Sequence, residues 1–287
     1  MIFKKEGIYI CFCGEYLEKY LKDRGLYSRM PFGSILAGFK EVRLKTADEK
    51  EFYLKNNFFT RLGFKIIGIP HLEMRIRARK IFSFLPKQGN NKKILDAGCG
   101  PGIYAITLLK KEFNVFAIDI DKEKLSYLKE NSDKINVKYG DLTNIPFKKE
   151  YFDYIVCSDV IEHIKKDYLA IKSLSKVLKK GGRLILTVPA ESKKNKKDYK
   201  RFGHERVGYN IKTLKILAQK NQLKILELKK YSGPLVGYLF SLNEKLYNHK
   251  LLSGLFFYPM YFLTFLEDLF NLHSKQFNGI AVCLIKN

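Results

Sequence analysis

Within positions 94–102, ILDAGCGPG, one acid and three glycines fall together: Asp96, Gly98, Gly100 and Gly102. Glycine lacks a Cβ and takes positive φ at little steric cost. Alternate glycines after an apolar run therefore describe a strand that turns sharply and lets its backbone approach a ligand. The exposed N–H groups of a helix starting there favour a polar or anionic group. Asp119 closes a second apolar run, NVFAID, 23 residues after Asp96. An acid at the end of a second strand can accept hydrogen bonds from both hydroxyls of a ribose. The two features together point to a ligand built on adenosine. They do not make a dinucleotide fingerprint: G-x-G-x-x-G counted from Gly98 needs a glycine where Ile103 stands.

These residues need a scaffold, and the sequence supplies one. From position 93 short apolar runs alternate with helical periods. KILDA, NVFAID, INVKYGD, FDYIVCSD and RLILTVP read as strands. GIYAITLLKK, KEKLSYLKEN and YLAIKSLSKVLKK read as helices, the last ending at Gly181 and Gly182, where glycine suits a left-handed cap. Such β-α-β-α alternation predicts a parallel sheet wrapped by helices. A further helix, IKTLKILAQK, has Asn210 at its N-cap position. Two strands follow, LKILELKK and the C-terminal GIAVCLIKN. Ahead of all this, PHLEMRIRARKIFSFLP at 70–86 reads as a helix bounded by prolines. FKEVRLKTADEKEFYLKNN suggests two short strands around a turn. The divisions expected are an N-terminal extension or cap over 1–70, a core over 71–233, a hydrophobic helical insert over 234–277 and a last core strand over 278–287.

The quoted elements resemble the class I S-adenosylmethionine-dependent methyltransferases. ILDAGCGPG, AIDID, GDLTNIPFKKEYFDYIVCSDVIEHI and LKKGGRLILTVP carry the resemblance, in that order, over about residues 75–232 and the final strand. The subgroup is similar to the enzymes of ubiquinone and menaquinone biosynthesis. The resemblance implies a Rossmann-like seven-stranded sheet in the order 3-2-1-4-5-7-6, the last strand antiparallel. It also implies S-adenosylmethionine as cofactor and a role for each matching residue. Asp96 would orient the methionine ammonium, and Gly98, Gly100 and Gly102 would form the turn beside the cofactor. Asp119 would hold the ribose, while Asp141 and the backbone of Leu142 would meet the adenine amine. Ser158 would lie under the methionine end, and His163 would line the floor near the transferred methyl. FGHERVGY, with His204, Glu205, Arg206 and Tyr209, would face the acceptor. His163, His204 and Tyr209 are the candidate catalytic groups, since a base is needed when the acceptor is a hydroxyl or a protonated amine.

The acceptor is less legible. No Asn-Pro-Pro-Tyr element follows the fourth strand, where CSDV stands, which disfavours a planar base or glutamine amide. A small, hydrophobic or lipid-linked acceptor is expected. Residues 251–266, LLSGLFFYPMYFLTFL, carry six aromatic rings and no charge. The run is short of the roughly 20 residues that span a bilayer, and Pro259 should split it into two short helices. Glu267 and Asp268 would mark a return to water. Such a pair suits a membrane interface, so peripheral membrane contact is expected. The net charge is +24, and residues 192–230 hold 13 Lys and Arg against 3 Asp and Glu. That segment suits anionic head groups, an acidic substrate or nucleic acid. An RNA methyltransferase and a non-enzymatic cofactor-binding interaction protein therefore stay open as alternatives. Cys11, Cys13, Cys99, Cys157 and Cys283 form no CxxC pair, so neither a metal site nor disulfides are expected. With no signal-peptide layout, a cytoplasmic location, at the membrane surface, is the expectation.

Overall fold

A strand covered on both faces has no room for polar side chains, and its sequence becomes a run of apolar residues. Four runs of this kind lie side by side at the centre of the sheet. The computed structural model describes residues 72–287 apart from 193–195, 197–198, 237, 240–241, 243–258, 260–261, 265 and 268–276. The expected strands of the N-terminal extension, Cys11, Cys13 and most of the uncharged run fall outside the described residues. The chain divides into two compact units, Met1–Ala78 with Ser232–Gln276, and Arg79–Tyr231 with Phe277–Asn287.

Helix α1 (Leu72–Ser83) precedes the sheet. Then come β1 (Lys93–Ala97), α2 (Ile103–Lys110), β2 (Asn114–Asp119), α3 (Lys122–Asn131), β3 (Asn136–Tyr139) and β4 (Phe152–Ser158). After them follow α4 (Asp167–Val177), β5 (Leu178–Pro189), α5 (Ile211–Lys220), β6 (Leu223–Tyr231) and β7 (Gly279–Lys286). The seven strands pair in the order β3-β2-β1-β4-β5-β7-β6. β7 runs antiparallel to both β5 and β6, and the other pairings are parallel. Ile94, Leu95, Ile155, Val156, Leu184 and Ile185 are fully buried on the central strands. Each contributes roughly 1.5–3 kcal/mol by leaving water. The edge strand β3 keeps mostly exposed residues. α3 and α5 start where side chains can satisfy their first N–H groups. Asp121 accepts from Glu123 N and Lys124 N, and Asn210 accepts from Thr213 N, as its position in the sequence predicts.

One boundary differs from expectation. α4 stops at Val177, and Leu178 already belongs to β5, paired with Phe152. The register then jumps, with Tyr154 opposite Arg183. Gly181, at φ 72°, therefore serves an irregularity inside β5 and not a helix cap. Burial decides the matter: the Leu178 side chain is fully buried, and Lys179 reaches Asp153 at 2.8 Å.

In the other unit Glu267 is only 2% exposed, and it accepts the Leu235 N–H at 3.2 Å. It satisfies the start of the helical turn at Pro234 and does not mark a return to water. Pro259, Phe262, Leu263, Thr264 and Leu266 are helical. Phe262 and Leu263 are exposed while Thr264 is buried. Among the described residues no helix is long and apolar enough to cross a membrane.

Candidate active site

The strand order reverses direction beside β1, where β2 leaves to one side and β4 to the other. In open α/β sheets ligands bind outside the carboxyl ends of the strands at such a point. Asp96, Asp119 and Ser158 all stand at those ends.

The glycine turn leaves β1 and is tied to β2. Gly98 N and Cys99 N both donate to Ile118 O, at 2.8 and 3.0 Å. Gly100 N donates to Asp119 Oδ2 at 2.8 Å, and Asp121 N donates to Oδ1 at 2.9 Å. A carboxylate has about four acceptor positions, so Asp119 can hold the turn and still accept from ligand hydroxyls. All three glycines have positive φ, but their surroundings differ. A Cβ at Gly98 would lie 2.5 Å from Val160 Cγ2, and one at Gly102 would lie 2.3 Å from Leu128 Cδ1. One at Gly100 would meet nothing within 4 Å. Two glycines permit packing, and the third opens onto space in front of α2.

Asp96 is 1% exposed, and Ala105 N donates to its Oδ2 at 2.9 Å. Burial pushes its carboxyl up to about 7 from an ordinary 3.8; the Ala105 N–H opposes this and Asp119 adds to it. A buried carboxylate in this condition is suited to a cation, and an amino-acid ammonium would meet that need. Ile120, next to Asp119, is 67% exposed. Sequence reading passed over it, although an apolar residue directly after the ribose acid was there to be noticed. It offers a flat-ring ligand an apolar face. Asp141 caps the short 3-10 turn Leu142–Asn144 through Thr143 N at 2.7 Å, with its side chain exposed and Leu142 buried below. The residues present thus fit an adenosine ligand with an ammonium tail.

Next to this end, Ser158 Oγ lies 2.9 Å from Thr187 Oγ1, which donates to Asp159 Oδ1 at 2.8 Å. Tyr104 OH is 3.5 Å from Ser158 Oγ. Asp159 has φ 51°, a conformation that costs an L-residue about 1–3 kcal/mol and is found at functional sites. A short 3-10 turn, Ile161–His163, follows.

That turn meets the loop before α5. The rings of His163 and His204 pack edge to face, with centroids 4.6 Å apart. His163 Nδ1 lies 3.2 Å from Gly203 O. A carbonyl only accepts, so the neutral His163 ring carries its proton on Nδ1 and its lone pair on Nε2. Burial, and then His163, lowers His204 to about 4. It is neutral at physiological pH, and its buried setting disfavours the protonated form. Glu162 is buried beside them, and ligand atoms of the three side chains lie within 4.8 Å of one another. That spacing suits groups that share a proton or a cation.

Tyr209 differs from the expectation. It is 1% exposed, and its hydroxyl donates to Asp167 Oδ2 at 2.8 Å while accepting from Arg206 Nη1 at 2.8 Å. Burial, followed by the Asp167 charge, pushes the phenol far above its usual range. The phenol keeps its proton, with its hydroxyl committed to Asp167 and Arg206. Cys99, Cys157 and Cys283 are free and buried. Burial raises all three thiols, so none is a ready nucleophile.

The family model described as a methyltransferase domain matches residues 95–186. A ubiquinone biosynthesis O-methyltransferase of Rickettsia canadensis is 30% identical over 162 residues, covering 53% of this chain and 67% of the relative. An uncharacterized protein of Methanocaldococcus jannaschii is 37% identical over 110 residues, covering 37% of this chain and 46% of that one. The chain spans about half the length of the curated relatives it matches first. Among solved structures, phosphoethanolamine N-methyltransferase 2 of Haemonchus contortus, in complex with S-adenosyl-L-methionine, has a TM-score of 0.56 at 18% identity. That match covers 86% of this chain and 62% of the other, and it shows the shared fold. The chain belongs to the class I S-adenosylmethionine-dependent methyltransferase family.

Proposed function

We propose that this chain transfers the methyl group of S-adenosylmethionine to a hydroxyl of a small, apolar or lipid-linked acceptor. The observation that carries the reading is the meeting of two imidazoles, His163 and His204, beside the strand ends that bear Asp96, the glycine turn and Asp119. Bound there, the cofactor supplies an electrophilic methyl on a sulfonium. The chain's own residues do the rest. Asp96 would hold the ammonium, Asp119 the ribose and Ile120 one face of the adenine. Asp141 and the Leu142 backbone would meet the adenine edge. An acceptor hydroxyl must lose its proton as it reacts, and His163 Nε2 is the lone pair assigned to take it. His204 packs edge to face against it and fixes the plane of its ring. Positioning the two reactants and excluding water supplies most of the remaining rate. An O-methyl product also accords with the activity in the name of the Rickettsia relative.

We place this activity at the surface of a membrane, in the cytoplasm. The uncharged aromatic run and the basic segment 192–230 support this reading. Near an anionic leaflet each such lysine is worth about 1 kcal/mol. The experiment is a survey of cell extract with methyl-labelled S-adenosylmethionine, separated into lipid, RNA, protein and small-molecule fractions. Label in the lipid or small-molecule fraction is expected, as a base-stable ether. Label in RNA supports the nucleic-acid alternative, and no label above a His163→Ala control contradicts methyl transfer by this site.

A further inference from the structure

The contact between His163 and His204 joins residues 41 positions apart, on two loops with no strand pairing between them. Beside the His163 Nδ1–Gly203 O contact at 3.2 Å, the guanidinium of Arg206 spans the gap. Arg206 Nη1 donates to Ile161 O at 2.8 Å and to Tyr209 OH at 2.8 Å. Its Nη2 donates to Ile164 O at 3.0 Å and to Lys165 O at 3.1 Å. Asp167 Oδ2 lies 3.2 Å from Nη1 and also accepts from Tyr209 OH. Both terminal nitrogens are thus committed, and the carbonyls that end the 3-10 turn are satisfied by the neighbouring loop. Glu205 N donates to Glu162 O at 2.9 Å and adds one backbone tie. The loop segment between Gly203 and Gly208 is bounded by positive φ at both glycines, 67° and 148°. A Cβ at Gly208 would lie 2.7 Å from the Ala190 backbone. Glycine ends allow the segment its path, but they do not hold it there.

We propose that Arg206 is a positioning residue of the reacting site: its guanidinium ties the turn carrying Glu162 and His163 to the loop carrying His204, and the two imidazoles meet because it does. A lysine cannot replace it. A single ammonium has three donors on one atom and cannot reach both sets of carbonyls and Tyr209 together, whereas the planar fork can. The bearing of Arg206 on turnover rests on the methyl-transfer reading above; its bearing on the histidine pair does not.

The test is an NMR titration of the histidine rings in the full chain, comparing native protein with Arg206→Lys, Arg206→Gln and Tyr209→Phe. The groups around His204 are His163 and Glu162 on the turn, Glu205 and Arg206 on its own loop, and Asp167 at the start of α4. In native protein His204 should titrate near 4, with cross-ring contacts to His163. Both Arg206 variants should lose those contacts, and His204 should shift upward by about one pH unit or more as it regains water. Tyr209→Phe should move it in the same direction by less. Calorimetry with S-adenosylhomocysteine should show affinity within about twofold of native, because Arg206 touches none of the cofactor residues. Arg206 variants that keep the ring contact and the native His204 titration overturn the proposal. Should those variants fail to fold, an unchanged His204 in Tyr209→Phe overturns it. Failure of native protein to bind S-adenosylhomocysteine would count against the cofactor reading alone, since the ring titration needs no ligand.

Discussion

Asp96 is the residue whose chemistry is most exposed to test. Its carboxyl is raised to about 7 by burial, so in the free protein it holds a proton through the weakly acidic range. The native state then binds more protons than the unfolded chain between about 4 and 7, and Asp96 contributes a stability that declines as pH rises through that window. A bound ammonium favours the ionised form and reverses the preference. Cofactor binding below pH 7 should therefore release a proton, and S-adenosylhomocysteine affinity should fall by up to about tenfold per pH unit from pH 7 to 5. Calorimetry in buffers of different ionisation heat reads both effects; Asp96→Asn should bind weakly and without this slope. A native affinity flat across the window would mean that Asp96 does not meet the ammonium. Tyr209 gives the contrasting case. Tyr209→Phe removes a buried donor from Asp167 and an acceptor from Arg206, and should cost about 1–3 kcal/mol in chemical denaturation. A variant as stable as native would contradict the structural role given to this hydroxyl.

The glycine turn is the element in which packing and binding can be separated. Gly98→Ala and Gly102→Ala drive a Cβ into Val160 and Leu128, and they also strain a left-handed backbone. Each should lose roughly 1–3 kcal/mol of stability. Gly100→Ala bears the backbone strain alone, about 1–2 kcal/mol, because its Cβ points into open space. If that space belongs to the cofactor, Gly100→Ala should weaken S-adenosylhomocysteine at least about tenfold with the smallest loss in Tm of the three. Unchanged affinity in Gly100→Ala would remove the turn from the binding site. This turn was fully legible in the sequence, since its chemistry is local: one acid, three glycines and a flanking strand. The sheet was legible for a related reason, as strands buried on both faces become apolar runs. The end of α4 was not, because helical period continues through Leu178 and only its pairing with Phe152 ends the helix. The His163–His204 contact and the burial of Tyr209 were beyond reach as well. Both depend on Arg206 joining two loops, and nothing in local sequence states which carbonyls a guanidinium will find.

At the scale of the whole molecule, charge and apolar surface act together. A net charge of +24 and an uncharged aromatic run in one chain should yield binding to anionic vesicles with two parts. The electrostatic part is screened by salt, with a Debye length of about 3 Å at 1 M, and the apolar part is not. Flotation with anionic vesicles should therefore persist in part at high salt, and fall further when exposed Phe262 and Leu263 are both changed to Ser. A protein that never floats, or a double variant that floats as well as native, would contradict the membrane reading. Methyl transfer does not depend on that outcome, and it stands on the cofactor site. The most direct test is calorimetry of S-adenosylhomocysteine with native protein, Asp119→Asn and Asp119→Ala. Native protein should bind with one site per chain. Asp119→Ala should lose at least about tenfold, as charge-assisted bonds worth roughly 1.5–3 kcal/mol each are removed, and Asp119→Asn should fall between them. No binding by native protein, or equal binding by all three, would contradict the account.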